Sequence, residues 1–213
     1  MTLADPTLSA PSPTRLFEKF SPVTGARLGE YPIAERDAVQ AAVARAKTAF
    51  PGWRDTPLEV RLEALNRGRQ VLAEHAERYA RRIAEDTGKP VIEALMFELA
   101  VVPMFLDHYL KRAPKLLARR KVSTPLALVG KTGYIEHFPR GVIGIISPWN
   151  FPFQLSVLPV ISALIGGNTV VLKPSEVTPI SAEVVADFFN RLGLPPGVVE
   201  VVQGDGSTGA ALC

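Results

Sequence analysis

Three short stretches carry residue types that could do chemistry. The first is Ser147-Pro148-Trp149-Asn150-Phe151-Pro152, which pins one asparagine between two prolines and two aromatics. A side-chain amide held this way can donate a hydrogen bond to an oxyanion that develops on a substrate carbonyl, an interaction whose removal typically slows a reaction by about 10²- to 10³-fold. Equally, Asn150 could cap the helix that follows, with Trp149 filling core. The second stretch is Lys173-Pro174-Ser175-Glu176, which follows the apolar run Thr169 to Leu172 directly. An ammonium and a carboxylate three residues apart at a strand end can share the two hydroxyls of a ribose, one donating and the other accepting. Glu176 would repel a 2'-phosphate, which predicts NAD rather than NADP. A plain Lys-Glu pair closing a loop is the alternative. The third stretch, Gly204-Asp205-Gly206-Ser207-Thr208-Gly209, is a literal G-x-G-x-x-G after a strand pattern, readable as part of a dinucleotide site or as a tight strand-to-helix turn.

These stretches need a scaffold, and residues 141–176 describe one. Val142–Ile146 is an apolar run expected to be a buried strand. The Asn150 loop, an apolar helix, the Gly166-Gly167 turn and a second buried strand ending at Lys173 follow. Next, Thr178-Pro179 reads as a cap residue and a first-turn proline before SAEVVADFFNRL, and residues 198–202 form a third buried β-branched run. Strands alternating with helices predict an α/β fold with a doubly wound, parallel, Rossmann-like sheet. In such sheets ligands bind beyond the carboxyl ends of the strands, so the Asn150 and Lys173 loops would face one crevice.

Upstream, residues 17–33 read as an edge hairpin around Pro22, Gly25 and Gly29. A helix from Glu35 should stop at Pro51-Gly52, and a longer amphipathic helix should run from about Pro57 to Gly88. A third, from Pro90, should bury Ile92, Leu95, Met96, Leu99, Val102, Leu106 and Leu110 and kink between Leu99 and Pro103. Residues 121–139 turn β-branched and aromatic and should form two strands away from the main sheet.

Composition narrows the function classes. With 24 basic and 21 acidic residues the net charge is only +3, too little to argue for nucleic acid, and the run Arg119-Arg120-Lys121 reads as a solvated face. One cysteine and three histidines provide neither a disulfide framework nor metal spacing. Residues 1–14 lack the basic start and apolar core of a signal peptide and read as a disordered tail. No uninterrupted apolar window suits a membrane span, so a cytoplasmic protein is expected, with no membrane, nucleic-acid or metal partner.

Glu85-Asp86-Thr87-Gly88-Lys89-Pro90, the run from Gly141 through Pro148-Trp149-Asn150-Phe151-Pro152, and Lys173-Pro174-Ser175-Glu176 occur in that order. Together they resemble the E-x-T-G-K-P, P-W-N-F-P and K-P-S-E motifs of the aldehyde dehydrogenase superfamily. The resemblance implies oxidation of an aldehyde to a carboxylic acid with reduction of NAD(P)+, through a cysteine thioester. It makes Asn150 the oxyanion donor, and Ile146, Ser147, Pro148 and Trp149 the wall of the cofactor cleft. Lys173, Ser175 and Glu176 would hold the adenine ribose, with Gly206 against the adenine. Phe151, Leu155 and Leu158 would line an aldehyde tunnel, and residues 119–139 would be oligomerisation strands that assemble dimers or tetramers.

The family's nucleophilic cysteine and its glutamate base belong to a later segment, and Cys213 is not placed to serve as the nucleophile. Residues 15–118 and 140–213 are therefore expected to be an incomplete NAD-binding domain, inactive alone and without the catalytic domain. Two other functions share this pattern: a non-catalytic nucleotide-binding or subunit-pairing module, and an acyl-phosphate or acyl-CoA reductase of similar architecture.

Overall fold

A computed structural model describes residues 15–123, 125 and 130–213. The expected tail, 1–14, and positions 124 and 126–129 of the expected hairpin lie outside the described residues. The chain opens with an antiparallel pair, β1 (Leu16–Phe20) and β2 (Arg27–Pro32), followed by helices α1 (Arg36–Asp55) and α2 (Leu58–Thr87). A single turn, α3 (Val91–Glu93), passes through a π-helical turn at Ala94–Leu99 into α4 (Val101–Leu117). A second antiparallel pair, β3 (Arg120–Val122) and β4 (Gly133–Ile135), stands apart from the main sheet. The α/β unit then runs β5 (Val142–Ile146), α5 (Gln154–Ile165), β6 (Thr169–Lys173), α6 (Pro179–Arg191), β7 (Val199–Val201) and α7 (Gly206–Leu212).

Strands β5, β6 and β7 are parallel, with β6 central. Alternation along β6 explains the layers, because successive side chains leave opposite faces of a strand. Val170 and Leu172 join the main core with α2, α5 and α6, including Phe153, Val185 and Phe188. Val171 points the other way, onto Ala42 and Ala46 of α1. The sheet is thus covered on both faces, as a parallel sheet requires. Burial follows strand position: β6 is buried throughout, whereas Gly144 and Ile146 of β5 are exposed and β7 is only half-buried. The expectation of three buried strands therefore holds for β6 alone, since β5 and β7 are the edges.

Two helical expectations are corrected by packing. Helix α1 does not stop at Pro51-Gly52 but continues to Asp55, because Trp53 is buried and its indole N–H donates to the Leu164 carbonyl at 3.1 Å. A proline in a helix forfeits one backbone bond, and burying a tryptophan outweighs it. In the third helical segment Ile92 and Met96 are exposed, at 64% and 56%. The π turn, marked by the Ala100 N–H to Leu95 carbonyl bond at 2.9 Å, widens the helix and shifts its phase. Ala94 and Glu98 face inward in their place, alongside the expected Leu99 and Val102, and Pro103 falls harmlessly in the first turn of α4.

Candidate functional site

Strand register brings the two chemical loops together. Ile146 and Lys173 are partners at the carboxyl ends of β5 and β6, and the Ser147 N–H donates to the Lys173 carbonyl at 3.1 Å. Lys173 shares the parity of Val171, so it leaves the sheet on the α1 and α7 side. Ile146 does likewise, its Cδ1 lying 3.6 Å from where a Cβ on Gly209 of α7 would sit. The crevice therefore lies between these strand ends and the start of α7.

Lys173 is 3% exposed and donates to Glu176 Oε2 at 2.7 Å. Partial burial alone would raise the Glu176 carboxyl, but the Lys173 hydrogen bond and charge outweigh it, so it lies below its ordinary value. Ser175 turns inward, its hydroxyl accepting from the Val177 N–H at 3.2 Å, and so closes the loop. Gly206 opens α7 with no atom within 4 Å of where a Cβ would be, leaving room for a ligand to approach. Asp205 caps the same helix, accepting from the Ser207 N–H at 2.8 Å.

In the first loop Pro148, Trp149 and Asn150 are exposed, so Trp149 does not fill core. No hydrogen bond engages the Asn150 side-chain amide among the described residues, so it is not a helix cap. Its carbonyl oxygen accepts from Lys89 Nζ at 3.2 Å. Ser147 is buried, 2.7 Å from the Ser156 hydroxyl, and therefore supports the loop from beneath rather than lining a cleft with its side chain. Phe151, Leu155 and Leu158 are half-buried, Phe151 under the Lys89 ammonium at 4.8 Å. Cys213 lies apart, exposed at the end of α7 in a cleft shared with Val39, Gln40 and Val43 of α1.

Residues that the sequence did not single out hold both loops. Glu98, fully buried, accepts from the N–H groups of Phe153 and Gln154 at 3.0 and 3.2 Å, which caps α5, and pairs with Lys89 at 2.5 Å. Asp86, also buried, accepts from the Ser181 N–H and hydroxyl at 2.6 and 2.7 Å, which caps α6. It lies 3.0 Å from Lys19. Burial pushes the Asp86 carboxyl up against the opposing pull of Ser181 and Lys19. The cap role expected of Thr178 is thus taken by Asp86, and the Thr178 side chain makes no cap bond. Only a helix phase shifted by the π turn brings Glu98 inward, so no simple periodicity could have found it.

The fold is that of an α/β protein with a Rossmann-like parallel sheet and a crevice beyond its strand ends. Residues 9–213 match the profile of the aldehyde dehydrogenase family, and the chain belongs to that family. It is 41% identical over 193 residues to 4,4'-diapolycopene aldehyde oxidase of Methylomonas sp, covering 90% of this chain and 36% of that relative. It is 37% identical over 194 residues to N-succinylglutamate 5-semialdehyde dehydrogenase of Chromobacterium violaceum, covering 91% and 39%. The solved NAD+ complex of the aldehyde dehydrogenase from Bacillus cereus superposes with a TM-score of 0.85 at 32% identity, over 93% of this chain and 40% of that one. The chain thus spans 36–40% of the length of these relatives, their N-terminal portion. Among the described residues no helix is long and apolar enough to cross a membrane, and no group of three or more His, Cys, Asp or Glu could hold a metal ion.

Proposed function

We propose that this chain supplies the cofactor floor and the oxyanion donor for NAD-linked oxidation of an aldehyde to a carboxylic acid. The observation that carries the reading is the pairing of Ile146 with Lys173 at adjacent strand ends, from which the Asn150 loop and the Lys173–Glu176 loop both leave. The residues fit a dinucleotide. Lys173 and Glu176 form a donor-acceptor pair suited to ribose hydroxyls, and the open position at Gly206 accommodates a flat ring. When bound, the nicotinamide accepts the hydride. Asn150 would donate its amide N–H to the substrate oxygen as negative charge develops there, which a carbonyl-polarising step requires. Phe151, Leu155 and Leu158 would present apolar surface to the aldehyde. In this reading the thiolate nucleophile and the general base come from the part of the relatives' length that this chain does not span.

Glu176 favours NAD over NADP by repelling a 2'-phosphate. The β3–β4 pair, with Tyr134 48% and Phe138 75% exposed beside it, suits subunit pairing in a dimer or tetramer. A single cysteine, exposed and free, fits a cytoplasmic setting.

Calorimetric titration of NAD against the chain and against Lys173→Ala tests the reading. Heat from the first that is lost in the second supports it, and no heat from either overturns cofactor binding. NAD reduction with propanal or benzaldehyde by the chain alone would overturn the division of labour.

A further inference from the structure

The two crevice loops are held by the same device, built twice. Each loop leaves a strand of the sheet and enters a helix whose first N–H groups bond to a buried carboxylate from elsewhere in the chain. Glu98 serves α5 and Asp86 serves α6. Each carboxylate is paired with a lysine, and each lysine reaches on to a loop carbonyl. Lys89 donates to Asn150 O at 3.2 Å, and Lys19 to Val177 O at 2.7 Å. Asp86 and Lys89 flank Gly88, whose φ of 77° ends α2 and directs the two side chains to different loops. A Cβ on Gly88 would lie 3.0 Å from Pro22 Cγ, so the turn is also wedged against the β1–β2 connection.

We propose that the turn 86–89 is the common anchor of the crevice, with Lys89 and Glu98 as positioning residues for the Asn150 amide and Asp86 and Lys19 as positioning residues for the Lys173–Glu176 loop. This rests on the reading of Asn150 and Lys173 given above, but its geometry does not depend on it. Among the described residues the side chain of Asn150 has no bond of its own, so its direction is set by the backbone that carries it. That backbone is fixed on one side by Lys89 and on the other by the Glu98 cap two residues after Phe151. An ammonium and a carboxylate suit the task because hydrogen bonds to ionised groups are the strong ones. Phe151 adds a third contact through the Lys89 ammonium over its ring at 4.8 Å.

Amide hydrogen exchange on the full chain separates the two anchors. Lys89→Met should speed exchange across residues 149–155 by about tenfold or more, the scale expected for losing a charge-assisted bond, and leave residues 176–182 within about threefold. Lys19→Met should do the reverse. Lys89→Arg, which keeps the charge, should restore most of the protection, a rescue that loss of general stability would not produce. Glu98→Gln keeps the shape and one acceptor, and should loosen 149–155 alone even if Lys89→Met folds poorly. Equal loosening of both segments by each variant, or no change at 149–155, overturns the anchor. Calorimetry with NAD on the same variants reads the function separately: Lys19→Met should weaken binding more than Lys89→Met does. Absence of NAD binding by the unmodified chain would remove the cofactor reading and leave the exchange result to decide the anchor.

Discussion

The Lys173 ammonium lies 2.7 Å from the Glu176 carboxylate, and only one partner is shielded, with side-chain exposures of 4% and 42%. The lysine is buried by the sheet that carries it, while the glutamate faces solvent and could exchange this contact for a ligand hydroxyl. Lys173→Met should therefore weaken NAD binding by about 10- to 100-fold, the range for losing a hydrogen bond to a charged group. Glu176→Gln should narrow the difference between NAD and NADP, which parallel titrations would show. Because the Lys173 hydrogen bond and charge hold the Glu176 carboxyl below its ordinary value, affinity should be flat near neutrality and fall only as pH drops through that lowered value.

Asp187 on α6 accepts three hydrogen bonds, from Arg78 at 2.6 Å, Tyr79 at 2.8 Å and Arg191 at 2.9 Å, and so ties α2 to α6. Partial burial would raise its carboxyl, but Arg191, Tyr79 and Arg78 together lower it to about 2 from 3.8. A folded-state value below the unfolded one means that the ionised form stabilises the fold. That contribution is complete above the unfolded value and disappears as pH falls from about 4 through about 2. Asp187→Asn should lower the melting temperature at pH 7 by a few degrees, about 2–4 °C per kcal/mol lost, and flatten the acid limb of a melting-versus-pH curve.

What the sequence disclosed and what it withheld divide along range. Val142–Ile146 and Thr169–Lys173 were legible to the residue, because a β-branched run bounded by glycine and by Lys-Pro is a local signal. Lys173 at the strand end followed from the same pattern, and Gly88 as the stop of α2 followed from its left-handed preference. The exposure of Ile146 was not legible, since periodicity does not say which strand is the edge. Nor were the caps from Asp86 and Glu98, which join residues 95 and 55 positions apart, the Glu98 cap depending also on a π turn that local propensity does not encode. Asn150 was found through its neighbours, whereas of the residues that hold its backbone Lys89 stood within a motif whose role the sequence left unassigned and Glu98 stood in none.

Thr178 precedes α6 at the cap position, is 2% exposed, and its hydroxyl finds no partner among the described residues. Asp86 has taken the Ser181 N–H that it would have capped. A buried hydroxyl without a partner carries a desolvation cost, and valine has nearly the same shape. Thr178→Val should therefore stabilise the chain by about 1 kcal/mol, raising the melting temperature by about 2–4 °C. A lower melting temperature would show that the hydroxyl is satisfied, for instance by water.

The glycines of Gly204-Asp205-Gly206 separate packing from ligand contact. Gly204 has φ of 153°, and a Cβ there would stand 2.0 Å from Thr208 Oγ1, a buried hydroxyl that donates to the Ala34 carbonyl at 2.6 Å. Gly204→Ala must displace that hydroxyl and with it the tie between α7 and the segment before α1. It should cost about 2–4 kcal/mol, as overpacking and backbone strain combine. Gly206 differs in kind, because nothing in the protein lies within 4 Å of its missing Cβ. At the first position of α7, alanine is at least as good a helix former as glycine, so Gly206→Ala should leave the melting temperature unchanged or slightly higher. If the adenine lies against this position, the same methyl should weaken NAD binding by about tenfold through a lost close approach. Melting and calorimetry on the two variants would then part company, Gly204→Ala losing stability and Gly206→Ala losing affinity alone. Unchanged affinity in Gly206→Ala would move the adenine away from α7 while leaving Lys173 and Glu176 as the ribose pair.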